Sequence, residues 1–173
     1  MSEAIHPAPV PDESARLNAL GRYRIMDTLP EQIYDDIAAL ASLICGTPIA
    51  LVSLLDADRQ WFKAGVGTPV RETPRSVSFC AHTLRSARTL IIPDATQDDR
   101  VKDNPAVIGP PGVRFYAGAP IVEADGHVLG TVCVIDTTPK SLSAIQIAAL
   151  EALARHAMAL MEMRRQLQER EAA

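Results

Sequence analysis

Cys80 and His82 stand two residues apart in Ser78-Phe79-Cys80-Ala81-His82. A thiolate beside an imidazole can attack an electrophile or begin a metal site, because both groups lose a proton near neutral pH. A metal would need two more ligands, and no Cys-x-x-Cys or His-x-x-x-His partner accompanies the pair. The competing reading is structural, with Cys80 a small buried apolar residue and His82 bonded to backbone or lining a pocket. Cys133 lies inside an apolar strand pattern and Cys45 beside Gly46 at a helix end, so packing is expected of both.

Trp61 and Phe62 are adjacent in a strand pattern, so their side chains point to opposite faces and only one of them can face a pocket. Trp61, the sole tryptophan, either stacks on a planar ligand or packs under a helix. Arg71, Arg75 and Arg114 flank irregular segments, where they either hold an anion or pair with Asp94, Asp98 or Asp99; ion pairing is the preferred reading. Asp94, Asp98, Asp99 and Asp103 lack the spacing and terminal Glu of a calcium loop, and turn and cap formation suffices for them. Neither a Gly-x-Ser-x-Gly elbow nor a glycine-rich phosphate loop occurs. Catalytic and metal-binding residues are therefore not expected. The pocket candidates are Trp61, Phe62, Cys80, His82, Asp94, Arg114 and Tyr116.

A chain of 173 residues suits one domain with a single core and a helical extension. Its net charge is -4, with Lys and Arg scattered among acids, which argues against a nucleic-acid surface. Three widely separated cysteines are not a disulfide framework, and reduced thiols fit a cytoplasmic compartment. Met1 to Ala4 includes an acid and no apolar secretory core follows; no uninterrupted apolar run approaches a bilayer span. The expectation is a cytoplasmic chain with neither nucleic acid nor membrane as partner.

These residues must be positioned by the elements around them. Pro7, Pro9 and Pro11 mark a flexible leader over 1–11. Asp12 caps a short helix to about Arg24, with Leu17, Leu20 and Tyr23 on one face. Pro30 suits the first turn of a second helix, with Ile33, Ile37, Leu40, Ala41 and Ile44 at helical spacing and Gly46 as its stop. Residues 49–55 read as a buried strand, and 60–66 return antiparallel after Asp56-Ala57-Asp58. The connection over 67–78 is irregular, 79–86 forms one or two helical turns, and 89–92 is a short strand. The long segment from Asp94 to Gly112 reads as a binding loop or lid. Strands over 113–123 and 127–136 meet at Ala124-Asp125-Gly126, and a helix runs from Ser143 to about Arg170. Leu150, Leu153, Ala157 and Leu160 follow coiled-coil spacing, and the seam weakens at Arg164 before Leu167. The dimer-helix candidates are these five with Leu17 and Leu20.

This order of elements implies an α+β fold, an antiparallel sheet with helices on one side. Tyr23-Arg24-Ile25-Met26-Asp27-Thr28, Pro48-Ile49-Ala50-Leu51-Val52-Ser53, Asp58-Arg59-Gln60-Trp61-Phe62-Lys63, Ser78-Phe79-Cys80-Ala81-His82, Phe115-Tyr116-Ala117-Gly118-Ala119-Pro120 and Leu129-Gly130-Thr131-Val132-Cys133-Val134-Ile135-Asp136 together resemble the bacterial GAF domains attached to histidine kinases and diguanylate cyclases. The likeness covers about residues 14–165, with the domain placed at 12–165 and a helical connector at 166–173. It implies a GAF/PAS-like sheet of five or six strands, a pocket roofed by loops on one face, and helices on the other that form a homodimer bundle. It further implies a sensory module that binds a small molecule or partner and acts on an output domain of the histidine kinase or diguanylate cyclase type, in cis or in trans. Neither ligand nor cofactor is named by the resemblance, since the family binds cyclic nucleotides, bilins, haem and metabolites. The Asn-Lys-x-Asp motif of its cyclic-nucleotide class is absent. Two alternatives stand beside the sensor: an enzyme like the GAF lineage that reduces free methionine sulfoxide through paired cysteines, here Cys80 and Cys133, and a ligand-free dimerisation scaffold.

Overall fold

The computed structural model describes residue 7 and residues 9–173. Most of the expected leader, residues 1–6 and 8, lies outside the described residues. Six strands form one antiparallel sheet: β1 (Ile49–Leu55), β2 (Arg59–Val66), β3 (Glu72–Pro74), β4 (Leu90–Ile92), β5 (Phe115–Val122) and β6 (Val128–Asp136), in the spatial order β3-β2-β1-β6-β5-β4. Two strands rich in apolar residues form the centre, where β1 pairs β6 with Ser53 opposite Thr131 and Leu51 opposite Cys133. The strand β3 and the short helix α3 (Pro105–Ile108) were not expected in segments read as irregular.

Helices α1 (Glu13–Arg22), α2 (Gln32–Cys45) and α4 (Ala144–Glu171) cover one face. Asp12 caps α1 by accepting from the Ala15 amide. Gly46 ends α2 in the left-handed conformation, φ 65°, that its missing Cβ makes accessible. Ser143 and Gln146 form a reciprocal capping box at the start of α4. Pro30 precedes α2 instead of lying in its first turn, and the buried stripe of α2 is rotated from the expected one. Tyr34, Ile37, Ala38, Ala41 and Cys45 face the sheet, whereas Ile33, Leu40 and Ile44 point outward.

The α4 seam is likewise divided. Leu150 and Ala157 sit in the protomer's own core with Ala154 and Met161, as does Leu20 of α1, so these three expected dimer contacts face the sheet and not a partner. The buried set repeats at four and three residues because one stripe of a 3.6-residue helix must seat on the sheet. Leu17, Leu153 and Leu160 are half-buried and Leu167 is exposed. By length and composition α4 is apolar enough to cross a bilayer, with a mean hydropathy of 1.2 in its best window. In the fold its apolar stripe packs on strands instead.

Candidate functional site

Alternation along the strands sends Ala50, Val52 and Leu54 toward the helices and Leu51 and Leu55 to the opposite face; on β2, Trp61 faces the helices and Phe62 faces away. A bulge where β1 passes from Val52 to Ser53 leaves Lys63 as an extra residue on β2. Its ammonium is buried and donates to the Leu29 carbonyl at 2.7 Å and the Thr28 hydroxyl at 2.9 Å, lies 2.5 Å from the Glu31 carboxylate, and sits 5.2 Å from the centroid of the Tyr34 ring. Sequence reasoning missed this buried cation. A bulge is not visible as a break in periodicity, although Thr28 to Glu31 supply a ready set of acceptors.

The face opposite the helices carries a cavity of about 170 Å³. Its floor is Leu51 and Ile49 of β1, Phe62 of β2, Tyr116 of β5, and Cys133 and Ile135 of β6. Phe79 and Cys80 form one wall, and Ala106, Pro111 and Val113 from the long loop close another. Polar groups gather at one end, where Ser78 donates to the Gln60 carboxamide at 2.5 Å and the Gln60 amide reaches Thr73 at 3.4 Å. Among the described residues, none that lines this cavity carries a charge. The loop expected to bind or cover a ligand does contribute this wall.

Cys80 lies at the start of a short 3-10 turn and is the hub of the cavity's inner polar cluster. The Thr131 hydroxyl donates to its sulfur at 3.0 Å, the Tyr116 hydroxyl at 3.1 Å and the Ser53 hydroxyl at 3.4 Å, while the Cys133 thiol lies 3.8 Å away. Ser53 and Thr131 are also 3.0 Å apart, so the single Ser53 proton can go either to Cys80 or to Thr131. Burial pushes the Cys80 pKa up, but the Cys133, Ser53, Thr131 and Tyr116 donors outweigh it and hold the thiol below its ordinary value. Cys133 is held well above its ordinary value, first by its hydrogen bond with Cys80 and then by burial. Tyr116 is raised as well, by burial and by the negative charge that Cys80 would carry.

Tyr116 reaches Cys80 because its ring lies along the strand over Gly118. A Cβ at Gly118 would stand 2.1 Å from the Tyr116 hydroxyl oxygen, so only glycine leaves the ring that place. The Phe79 ring then meets Tyr116 at 5.4 Å between centroids.

Of the expected pocket residues, Phe62, Cys80 and Tyr116 come together in the cavity. Trp61 does not: it packs among the helices, as strand alternation demands once Phe62 takes the other face. His82 falls outside the lining, half-buried near Asp98 and Arg100; burial and the Arg100 charge lower its pKa. Asp94 caps a turn by accepting from the Thr96 amide at 3.0 Å. Arg114 donates to the Val107 and Val113 carbonyls, each at 3.0 Å, and so braces the loop wall from behind. Arg75 makes an ion pair, but with Glu13 and not with Asp94, Asp98 or Asp99, and Arg16 also holds Glu13 at 2.8 Å. Ser53, Thr131, Gln60 and Ser78 were missed as site residues. The signal for the first two was strand register, since each lies two residues from a cavity residue, Leu51 and Cys133.

Residues 29–161 match the profile of the GAF domain. A cyclic di-GMP phosphodiesterase of Pseudomonas aeruginosa is 42% identical over 149 residues, which is 86% of this chain and 25% of that protein; the chain thus spans about a quarter of this relative's length. The GAF domain of PixJ from Thermosynechococcus elongatus, in its blue-light absorbing form, superposes with a TM-score of 0.67 at 15% identity, covering 94% of this chain and 96% of that one. The free methionine-R-sulfoxide reductase of Neisseria meningitidis, solved with its substrate, superposes with a TM-score of 0.63 at 14% identity, covering 96% and 99%.

Proposed function

The chain belongs to the GAF family, and from that premise we propose that it is the sensory module of a signalling protein, binding a small neutral molecule in the cavity on the sheet face opposite its helices. The observation that carries this reading is the cavity itself: about 170 Å³, apolar along floor and walls, with hydroxyl, amide and thiol groups but no charge in its lining. Space of this size suits a monocyclic aromatic or a similarly compact ligand, since an apolar void of roughly 150 Å³ takes benzene. A nucleotide phosphate or a carboxylate would have to give up water without a cation to receive it.

Occupancy acts on the loop over 94–112 and, through the shared strands β1 and β6, on α1, α2 and α4. The half-buried Leu17, Leu153 and Leu160 and the exposed Leu167 remain available to a second copy, joined by the outward Ile33, Leu40 and Leu43 of α2. Leu153, Leu160 and Leu167 are spaced by sevens, as a coiled-coil seam requires. The output is a signalling domain of histidine kinase or diguanylate cyclase type, or one for cyclic di-GMP turnover as in the Pseudomonas relative. Three free thiols fit work in the cytoplasm.

Native mass spectrometry of protein purified from its own host tests the reading. The expected result is a co-purified neutral compound that a cavity-filling Ala106→Phe chain does not retain; retention of a charged nucleotide by both proteins would overturn it.

A second reading is favoured by one observation, the 3.8 Å approach of Cys80 and Cys133. It makes the chain a reductase of free methionine sulfoxide. The uncharged lining counts against it, because a free amino acid brings both an ammonium and a carboxylate into the site. Steady turnover of methionine sulfoxide with a dithiol reductant, abolished by Cys80→Ser, would establish the reductase in place of the sensor.

A further inference from the structure

The two thiols that line the cavity are asymmetric in a way that packing does not require. Cys80 has the Thr131, Tyr116 and Ser53 hydroxyls within donating distance of its sulfur, whereas Cys133, in the centre of β6, has the Cys80 sulfur 3.8 Å away. Both residues are almost fully buried, yet both form part of the cavity lining, so a molecule the size of two waters that enters the cavity meets sulfur. Cys45 supplies the contrast: it is buried among the helices on the opposite face, away from this cavity, and burial raises its pKa.

We propose that Cys80 and Cys133 are a peroxide-oxidised dithiol site, in which Cys80 is the attacking sulfur and Cys133 the resolving one. Hydrogen peroxide is the oxidant. The Cys80 thiolate bonds to one peroxide oxygen as the O–O bond breaks, and the leaving hydroxide takes a proton and departs as water, so that sulfur is oxidised and peroxide reduced. The product is a Cys80 sulfenic acid. The Cys133 sulfur then attacks Cys80, the S–S bond forms, the S–O bond breaks, and the hydroxide leaves with the Cys133 proton as a second water. Two thiols and one peroxide thus give one disulfide and two waters, and an external dithiol reverses the change.

The hydroxyl ring serves both steps. The Tyr116, Thr131 and Ser53 hydroxyls stabilise charge on Cys80, and their protons lie where the leaving hydroxide is released. Bond formation must bring the sulfurs from 3.8 Å to about 2.0 Å. Cys133 is fixed in the middle of the sheet, so the short turn bearing Cys80 does most of the moving. Ser78 and Phe79 precede it immediately and belong to the cavity wall, so oxidation reshapes the small-molecule site whatever ligand that site takes. The site therefore stands or falls independently of the ligand reading above.

The test is intact-mass spectrometry of the full chain after graded exposure to hydrogen peroxide, with thiols alkylated afterwards under denaturing conditions. The proposal expects a loss of about 2 Da, two of the three thiols protected from alkylation, a Cys80–Cys133 cross-linked peptide, and full reversal by dithiothreitol. In Cys133→Ser the reaction stops at a Cys80 sulfenic acid about 16 Da heavier, trapped by a cyclic dione. Three fully alkylated thiols in the wild type, at a peroxide dose that oxidises free cysteine, would overturn the proposal even if neither variant folds. So would a cross-link that includes Cys45, or oxidation of Cys133 at an undiminished rate in Cys80→Ser.

Discussion

The two faces of the sheet are made by the same strands and differ in what covers them. On the helical face three helices press Leu20, Ile37, Leu150 and Met161 onto Val52, Trp61, Phe115 and Leu129 in continuous contact. On the other face a 3-10 turn and a long loop hold themselves off the strands far enough to leave a cavity, and its interior gathers hydroxyls and thiols around one sulfur, where the helical face is mainly apolar apart from buried Lys63. The lesson is that burial here takes two forms. One face spends its strands on close packing, and the other uses equally buried residues to build a polar cluster with space beside it.

The largest effect that can break this comparison is on the helical face. Leu150→Ala removes a fully buried side chain from a closed contact and should cost about 2–5 kcal/mol, read from urea denaturation. Ile49→Ala, at the cavity margin and only half-buried, should cost about 1 kcal/mol or less, because less contact is lost. Equal costs at the two positions would mean that the faces are packed alike.

Gly118→Ala comes next, at about 1–3 kcal/mol, because the new methyl occupies the place of the Tyr116 hydroxyl. It sharpens the comparison because its second consequence is local. With Tyr116 displaced, Cys80 loses a donor and its alkylation should shift to higher pH.

The helical face was largely legible in the sequence and the cavity face was not. Leu150 and Ala157 announced an apolar stripe by their spacing, though one read as a partner seam, and Asp12, Gly46 and Ser143 announced helix ends through their capping chemistry. What periodicity could not give was which side of a stripe meets the sheet and which meets a partner: α2 was read one step out of phase, and the α4 seam was assigned outward where half of it points in. On the cavity face, Phe62 against Trp61 was decidable only as an alternative, because alternation fixes opposition but not direction. The cluster at Cys80 depends on the register between β1 and β6 and on the landing place of a 3-10 turn, neither of which is encoded within any single segment. Cys133, read as packing from its apolar neighbours, illustrates the cost of judging a strand residue without its cross-strand partners.

A smaller effect tests the seam where α1 meets both faces. Glu13, shared between Arg16 and Arg75, has its pKa lowered to about 2: burial acts to raise it, and the two guanidinium groups overcome that. A carboxylate whose folded pKa is depressed contributes stability that is complete above its unfolded value and is lost as the pH falls through the folded one. Unfolding free energy measured between pH 5 and pH 2 should therefore fall more steeply in the wild type than in Glu13→Gln, by about one proton's worth of slope or less. Parallel curves would remove Glu13 from the account.

The smallest effect belongs to Tyr116→Phe, which keeps the ring and deletes one donor. Stability should change by about 1 kcal/mol or less, while the Cys80 thiol pKa rises. A drop as large as that of Leu150→Ala would show that the hydroxyl cluster holds the fold and is not an addition to it.

Calorimetric titration with phenol, a neutral monocyclic aromatic, compared between the wild-type chain and Ala106→Phe, tests the cavity face most directly. The account predicts saturable binding to the wild type with a negative heat-capacity change, as expected when apolar surface is buried, and none to the filled variant. Identical heats for both proteins, or binding of a cyclic nucleotide in place of phenol, would contradict it.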